Sequence, residues 1–169
     1  MDTLNSALQA SQLGIAVTPL YGVSRDGGTC HCGRGGSCPS KGKHPIDRSW
    51  QSAPFPSGAD IHEWFEQNPT ANLGGRTGSI SGNIFVVDFD EGGRDAFADT
   101  IRNNGGLPET LVTQTGSGGQ HFFYRAPEGV RIPNSVSKVA PHVDIRGEGG
   151  QVVLPPSRTD KGDYVILHS

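Results

Sequence analysis

The segment from Tyr21 to Pro56 constrains this chain most, because it is long, almost without hydrophobic periodicity, and dominated by Gly, Ser, Pro and Cys. An irregular stretch of that length needs something to organise it inside a compact domain. It also holds all three cysteines, Cys30, Cys32 and Cys38. An odd, tightly spaced set is a poor disulfide framework and a natural metal site, which suits a reducing compartment. Three thiolates and one imidazole make the closed tetrahedral set of structural zinc. Two histidines compete for the fourth place: His31, awkwardly wedged between two of the thiols, and His44, which follows Lys43. The expectation is a zinc-binding insert over about residues 22–50.

Outside this insert the sequence alternates helical and strand-like stretches. Leu4, Ala7 and Leu8 give a helix over residues 3–13 with Gly14 as its stop, and a strand runs from Ile15 to Leu20. Asp60 reads as the cap of a second helix carrying Ile61, Trp64 and Phe65 on one face. Strands are expected near 84–90, 111–115, 121–125, 143–146, 151–154 and 164–167, with a helix over about 93–103 after the first of these. Gly105-Gly106, Gly116 to Gly119 and Gly147 to Gly150 punctuate them. This order predicts an α+β fold: a mixed, mostly antiparallel sheet with flanking helices.

Hydrophobic residues make up only 33%, but 25 Gly and 12 Pro in 169 residues account for much of the deficit, so the composition describes a loop-rich enzyme rather than disorder. No segment approaches the roughly 18 apolar residues of a membrane span, and no secretory leader is evident; a cytoplasmic protein is expected. The net charge of −3 argues against a polyanion ligand at first sight. The acids, however, concentrate in residues 51–110, and mildly basic segments flank them. An acidic centre for metals is compatible with basic surroundings for nucleic acid.

Three constellations carry chemistry. In Val86-Val87-Asp88-Phe89-Asp90 the pleat of a strand puts both carboxylates on one face and Val87 and Phe89 on the other. Such a pair is costly unless protonated or bridged by hard divalent cations. Alternatively, Asp90 and Glu91 begin a turn and cap the next helix. Thr115-Gly116-Ser117-Gly118-Gly119-Gln120-His121 is a glycine-rich turn feeding a strand, where bare backbone can approach a phosphate and His121 can donate to its oxygen; a structural hairpin and a structural His are the plain alternative. Asp144 and Arg146 share a face of Val143-Asp144-Ile145-Arg146, which suits a metal beside a phosphate or a local ion pair. Pro155-Pro156 ends a strand rigidly and could present Ser157 and Arg158.

Taken in this order, Asp-x-Asp, Thr-Gly-Ser-Gly-Gly-x-His and Asp-Ile-Arg-Gly-x-Gly-Gly-x-Val-Val-x-Pro-Pro-Ser resemble the bifunctional primase-polymerase family of the archaeo-eukaryotic primase superfamily. Gly42-Lys43-His44-Pro45, the helix with Trp64, and Asn72-Leu73-Gly74 leading into Arg76-Thr77-Gly78 extend the likeness over most of the chain. The resemblance implies Asp88, Asp90 and Asp144 as ligands of two Mg²⁺ or Mn²⁺ ions, with His121 on the incoming triphosphate. Family members often carry Glu where this chain has Asp90. Related proteins with such an insert carry spaced cysteines before Gly-Lys-His-Pro, which favours His44 as the fourth zinc ligand.

The expected activity is template-directed nucleotidyl transfer from nucleoside triphosphates onto a primer on DNA. His121, Ser117 and the Gly118-Gly119 turn would orient the triphosphate and Arg146 would offset developing charge. Arg76, Thr77 and Ser157 are further candidates for nucleotide positioning. Arg25, Arg34, Lys41 and Lys43 would let the insert touch the template. The resemblance also implies a longer replication protein, with a helicase in the same chain, encoded by a phage, plasmid or bacterium. Two other classes fit parts of the pattern: a metal-dependent nuclease, for which the glycine turn and His121 would be superfluous, and a zinc-stabilised single-strand binder, disfavoured by an aromatic content of 7%.

Overall fold

The computed structural model describes residues 2–168. The chain opens with α1 (Thr3–Gln12) and β1 (Val17–Leu20), passes through the cysteine-bearing insert, and continues with α2 (Gly58–Gln67), β2 (Asn72–Arg76) and β3 (Ile84–Phe89). Two short helices follow, α3 (Gly93–Ala96) and α4 (Ala98–Asn103). The remainder is β4 (Val112–Gln114), β5 (Gln120–Arg125), β6 (Ser135–Ala140), β7 (Val143–Arg146), β8 (Gln151–Leu154), the hairpin β9 (Arg158–Thr159) and β10 (Gly162–Asp163), and β11 (Val165–His168). The fold is α+β, as expected, and the ladders of the named strands are antiparallel. None of the described helices is long and apolar enough to cross a membrane.

Two sheets divide the strands. A small one has the order β1-β2-β8 and a large one the order β11-β4-β5-β3-β7-β6. The side chains of β3 show how they are arranged. Ile84 and Val86, on one face, join Ala7, Val17, Ile61, Phe65, Leu73, Val152 and Leu154 in a core shared with the small sheet, α1 and α2. Phe89, on the opposite face, packs with Phe122 and Val143 in a second core, against which Phe97 and Ile101 of the α3–α4 segment lie. Alternation at period two therefore serves both cores from one strand.

Local chemistry differs from the sequence expectation at two helices. The cap of α2 is Ser57, whose hydroxyl accepts from the Asp60 amide while the Asp60 carboxylate accepts from the Ser57 amide, a reciprocal capping box. The helix expected over 93–103 is broken at Phe97, which adopts φ −104°, ψ 2° and closes α3 before α4 begins. Strands β2 and β6 were not anticipated. β2 is buried along its length, and a Cβ at Gly74 or Gly75 would come within 2.8 Å of the Leu20 or Leu154 side chain. Glycine there is a packing requirement rather than a turn signal.

Candidate active site

Along β3, the face that is apolar at Ile84 and Val86 turns polar at Asp88. Its cross-strand partners are His121 on β5 and Asp144 on β7. Register alone thus sets one row, His121–Asp88–Asp144, across the three central strands of the large sheet. His121 Nε2 lies 3.4 Å from Asp88 Oδ1. Arg146, two residues along β7 on the same face, places its guanidinium 2.8 Å from Asp144 Oδ2 and 3.6 Å from Asp88 Oδ2. The other Asp144 oxygen accepts from the Ser137 amide at 2.9 Å. These side chains are largely removed from water: those of His121, Asp144 and Asp88 are 5%, 8% and 13% exposed.

The charges act on one another. Burial pushes the Asp88 carboxyl upward, but the His121 hydrogen bond and the His121 and Arg146 charges outweigh it and hold the group below its usual value. Asp90, just past the end of β3, is raised by burial and then by the negative charges of Asp88 and Asp144, against the opposing pull of Arg146 and Lys43. Among the described residues Arg146 alone of the arginines and lysines forms a short ion pair with these three acids, and all-oxygen donors of this kind suit Mg²⁺ or Mn²⁺. The three carboxylates are not drawn as tightly together as the thiol set described below. Arg146 lies between Asp88 and Asp144.

His121 and Asp88 open into a cavity of about 520 Å³ between the two sheets, the size of a small-molecule site, whereas Asp144 lies behind Arg146 and does not line it. Asp88, Asp90, Ser117, His121 and Arg146 line it together with Lys43, His44, Thr115, Gln151 and Tyr164. The last-named phenol is raised above its ordinary pKa by burial and by the charges of Asp88, Asp90 and Asp160, so it stays a neutral hydroxyl. Tyr164, Thr115 and Gln151 were not singled out from the sequence. A turn or strand end carries each of them, and only the meeting of the two sheets brings them together.

The glycine-rich turn is built for close packing as much as for a ligand. The Gly118 amide donates to the Thr115 carbonyl at 2.9 Å, so it is occupied within the turn. Ser117 Oγ lies 3.2 Å from Thr115 Oγ1 and faces the cavity. A Cβ on Gly119 would stand 2.5 Å from the Phe89 carbonyl oxygen, and one on Gly116 equally close to that of Gly162. Gly119→Ala should therefore lift the turn off the end of β3 and cost about 1–3 kcal/mol, read as a lowered Tm, because both partners in the clash are backbone.

Arg76, Thr77 and Ser157 are not brought to this cavity. Arg76 is buried and donates to the carbonyls of Pro54, Gln51 and Ala53, while Thr77 donates to Gly147 O. Both line a separate cavity beside Trp50 and Glu148. The Ser157 hydroxyl accepts from the Leu73 amide at 2.8 Å, pairing the segment after β8 to β2. These contacts tie the segment just after the insert, and those flanking β8, to β2 and its C-terminal end.

The insert forms the other wall. Cys30, Cys32, Cys38 and His44 bring three Sγ and one imidazole nitrogen within 4.8 Å of one another, a set that could hold zinc. His44 Nε2 lies 3.4 Å from Cys38 Sγ and 3.6 Å from Cys30 Sγ. Burial and then the Arg34 charge lower its pKa, which keeps the ring neutral, as a ligand must be. His31 is turned away, with Nδ1 3.1 Å from Thr70 Oγ1, so the competition between the two histidines is decided by geometry.

A family model described as bifunctional DNA primase/polymerase, N-terminal, matches residues 7–169. Comparison with curated proteins gives no match.

Proposed function

The chain belongs to the bifunctional DNA primase/polymerase family, and from that premise we propose that the cavity between its sheets binds a nucleoside triphosphate and transfers its nucleotidyl group to a strand paired with a DNA template. The observation that carries this reading is the His121–Asp88–Asp144 row, of which His121 and Asp88 line a cavity of nucleotide size while Asp144 is tied to it through Arg146. Asp88, Asp90 and Asp144 would hold two Mg²⁺ or Mn²⁺ ions. When bound, such ions activate the attacking hydroxyl and neutralise the triphosphate.

The roles of the protein's own groups follow from their positions. His121 holds the central carboxylate by its Nε2 and lines the cavity, where its ring would face a phosphate of the nucleotide; its Nδ1 is buried without a partner. Arg146, already between Asp88 and Asp144, supplies positive charge beside the transferred group. The Ser117 hydroxyl and the Tyr164 phenol offer neutral hydrogen-bond donors to the bound nucleotide. The zinc-binding insert over about 22–50 belongs, in this reading, to one catalytic domain.

His121→Ala should raise the nucleotide KM by about 10- to 100-fold, the worth of a hydrogen bond to a charged group. Steady-state incorporation at saturating template checks this, and an unchanged KM would remove His121 from the triphosphate. A nuclease is the rival use of three carboxylates. Phosphodiester cleavage at rates independent of added nucleotide, without incorporation, would favour it.

A further inference from the structure

The Gly42-Lys43-His44-Pro45 segment is fastened at each residue. Asn72 Nδ2 donates to Gly42 O at 2.9 Å, and Gln151 Nε2 donates to Lys43 O at 2.8 Å. The Tyr21 amide donates to His44 O at 3.0 Å, and Pro45 bridges to Leu20. Gly42 has φ +76°, and a Cβ there would lie 2.8 Å from the Arg158 carbonyl oxygen, so the turn into this segment accepts only glycine. Backbone held this firmly from two strands and a turn fixes where its side chains emerge.

Two of those side chains serve different places. The His44 ring enters the thiol cluster and also reaches the cavity wall, while Lys43 lines the cavity itself. The other nitrogen-bearing side chains at that cavity are engaged. Arg146 is shared by Asp88 and Asp144, the His121 ring pairs with Asp88, and the His44 ring with two thiols. Among the described residues Lys43 has no carboxylate within 4.0 Å, which makes it the cavity cation left for an incoming anion. A lysine ammonium is a compact point charge that binds phosphate without demanding a planar partner.

We propose that Lys43 binds the phosphates of the incoming nucleoside triphosphate and that the Cys30, Cys32, Cys38, His44 cluster holds it in place, so that metal in the cluster sets nucleotide affinity. This rests on the reading of the cavity as the nucleotide site. It moves Lys43 from the template-facing surface, where its company with Arg25, Arg34 and Lys41 would put it, to the substrate pocket.

Equilibrium binding of a fluorescent, non-incorporable nucleoside triphosphate with Mg²⁺ tests it without catalysis. Lys43→Ala should weaken that binding about 10- to 100-fold, the range for a hydrogen bond between charged groups, and leave single-stranded template affinity within about twofold. Lys43→Arg should recover most of the loss and Lys43→Gln little. Unchanged zinc content and Tm in Lys43→Ala keep the comparison free of unfolding. Stripping zinc from the parent protein should weaken nucleotide binding to a similar degree, and stripping it from Lys43→Ala should add little, because both changes remove one interaction.

Unchanged nucleotide affinity in Lys43→Ala, with or without lost template affinity, overturns the proposal, as do fully additive losses on zinc removal. His121→Ala separates this failure from a deeper one. If it weakens nucleotide binding while Lys43→Ala does not, Lys43 alone is misassigned; if neither does, the cavity is not the nucleotide site.

Discussion

Asp88→Asn and Asp144→Asn should each lower nucleotide incorporation by about a thousandfold or more, since loss of one charged ligand from a two-metal site removes several kcal/mol of transition-state stabilisation and about 4 kcal/mol is three decades in rate. The asparagine replacements keep the shape of the row, so circular dichroism and thermal melting should report a folded protein. Asp90→Asn should be equally inactive but different in stability. The Asp90 pKa is raised on folding, so at neutral pH its charge opposes the folded state, and the amide should raise Tm. Asp88 behaves oppositely. Its lowered pKa contributes stability that is complete above the ordinary value of 3.8 and is lost as pH falls through the lower folded value. Incorporation at parental rates by either Asp88→Asn or Asp144→Asn would remove that residue from the catalytic centre.

Loss of zinc should produce the second large effect, confined at first to the insert. Purified protein should carry about one zinc per chain, unaffected by excess Mg²⁺, because thiolates and carboxylates select different metals. The apparent affinity of such sets, about 10–16 kcal/mol in small zinc-dependent peptides, is folding free energy. Outside residues 42–46, which are fastened to β1, β2 and β8, the insert has little else: its ties are turn hydrogen bonds and single bridges such as Val23 with Cys30, not a ladder. Chelation or Cys38→Ser should therefore expose residues 22–50 to protease by orders of magnitude, while the central strands keep their cores. Limited proteolysis read by mass spectrometry, with elemental analysis of the same samples, measures both. Full protection of the zinc-free insert would mean that the thiols organise nothing.

The parts of the site that were legible in the sequence are those whose signal is local. Asp88 stands out because its apolar neighbours make an exposed turn implausible, and strand period two puts it on a face with Asp90. The cysteines stand out by spacing. Spacing could not choose between His31 and His44; the resemblance favoured His44, and Thr70 explains where His31 goes instead. Arg76 and Ser157 sit inside a recognisable pattern, yet their partners, Pro54 and Leu73, lie far along the chain. A buried arginine on backbone carbonyls and one on a phosphate look alike in sequence. β2 went unread because close packing, rather than propensity, makes its glycines fit. β6 is a largely exposed strand at the edge of the large sheet and lacks the apolar alternation that marks the others. Lys43 and Tyr164 face one cavity only because β8 and β11 return, late in the chain, to opposite sheets.

That late return has a kinetic side. The small sheet takes β1 and β2 from before the large sheet and β8 from after most of it, with Leu73 paired to Leu154 and Arg76 to Gln151. Neither sheet can be completed while the other is still missing from the growing chain. During synthesis β1 and β2 can pair, but the wall that carries Gln151 and Val153 arrives only after every strand of the central row has emerged. Contacts of such separation fold slowly, typically in milliseconds to seconds, because loop closure precedes any gain from pairing. The cavity should accordingly be among the last features to form on refolding, and recovery of nucleotide binding should lag behind recovery of the β-sheet signal.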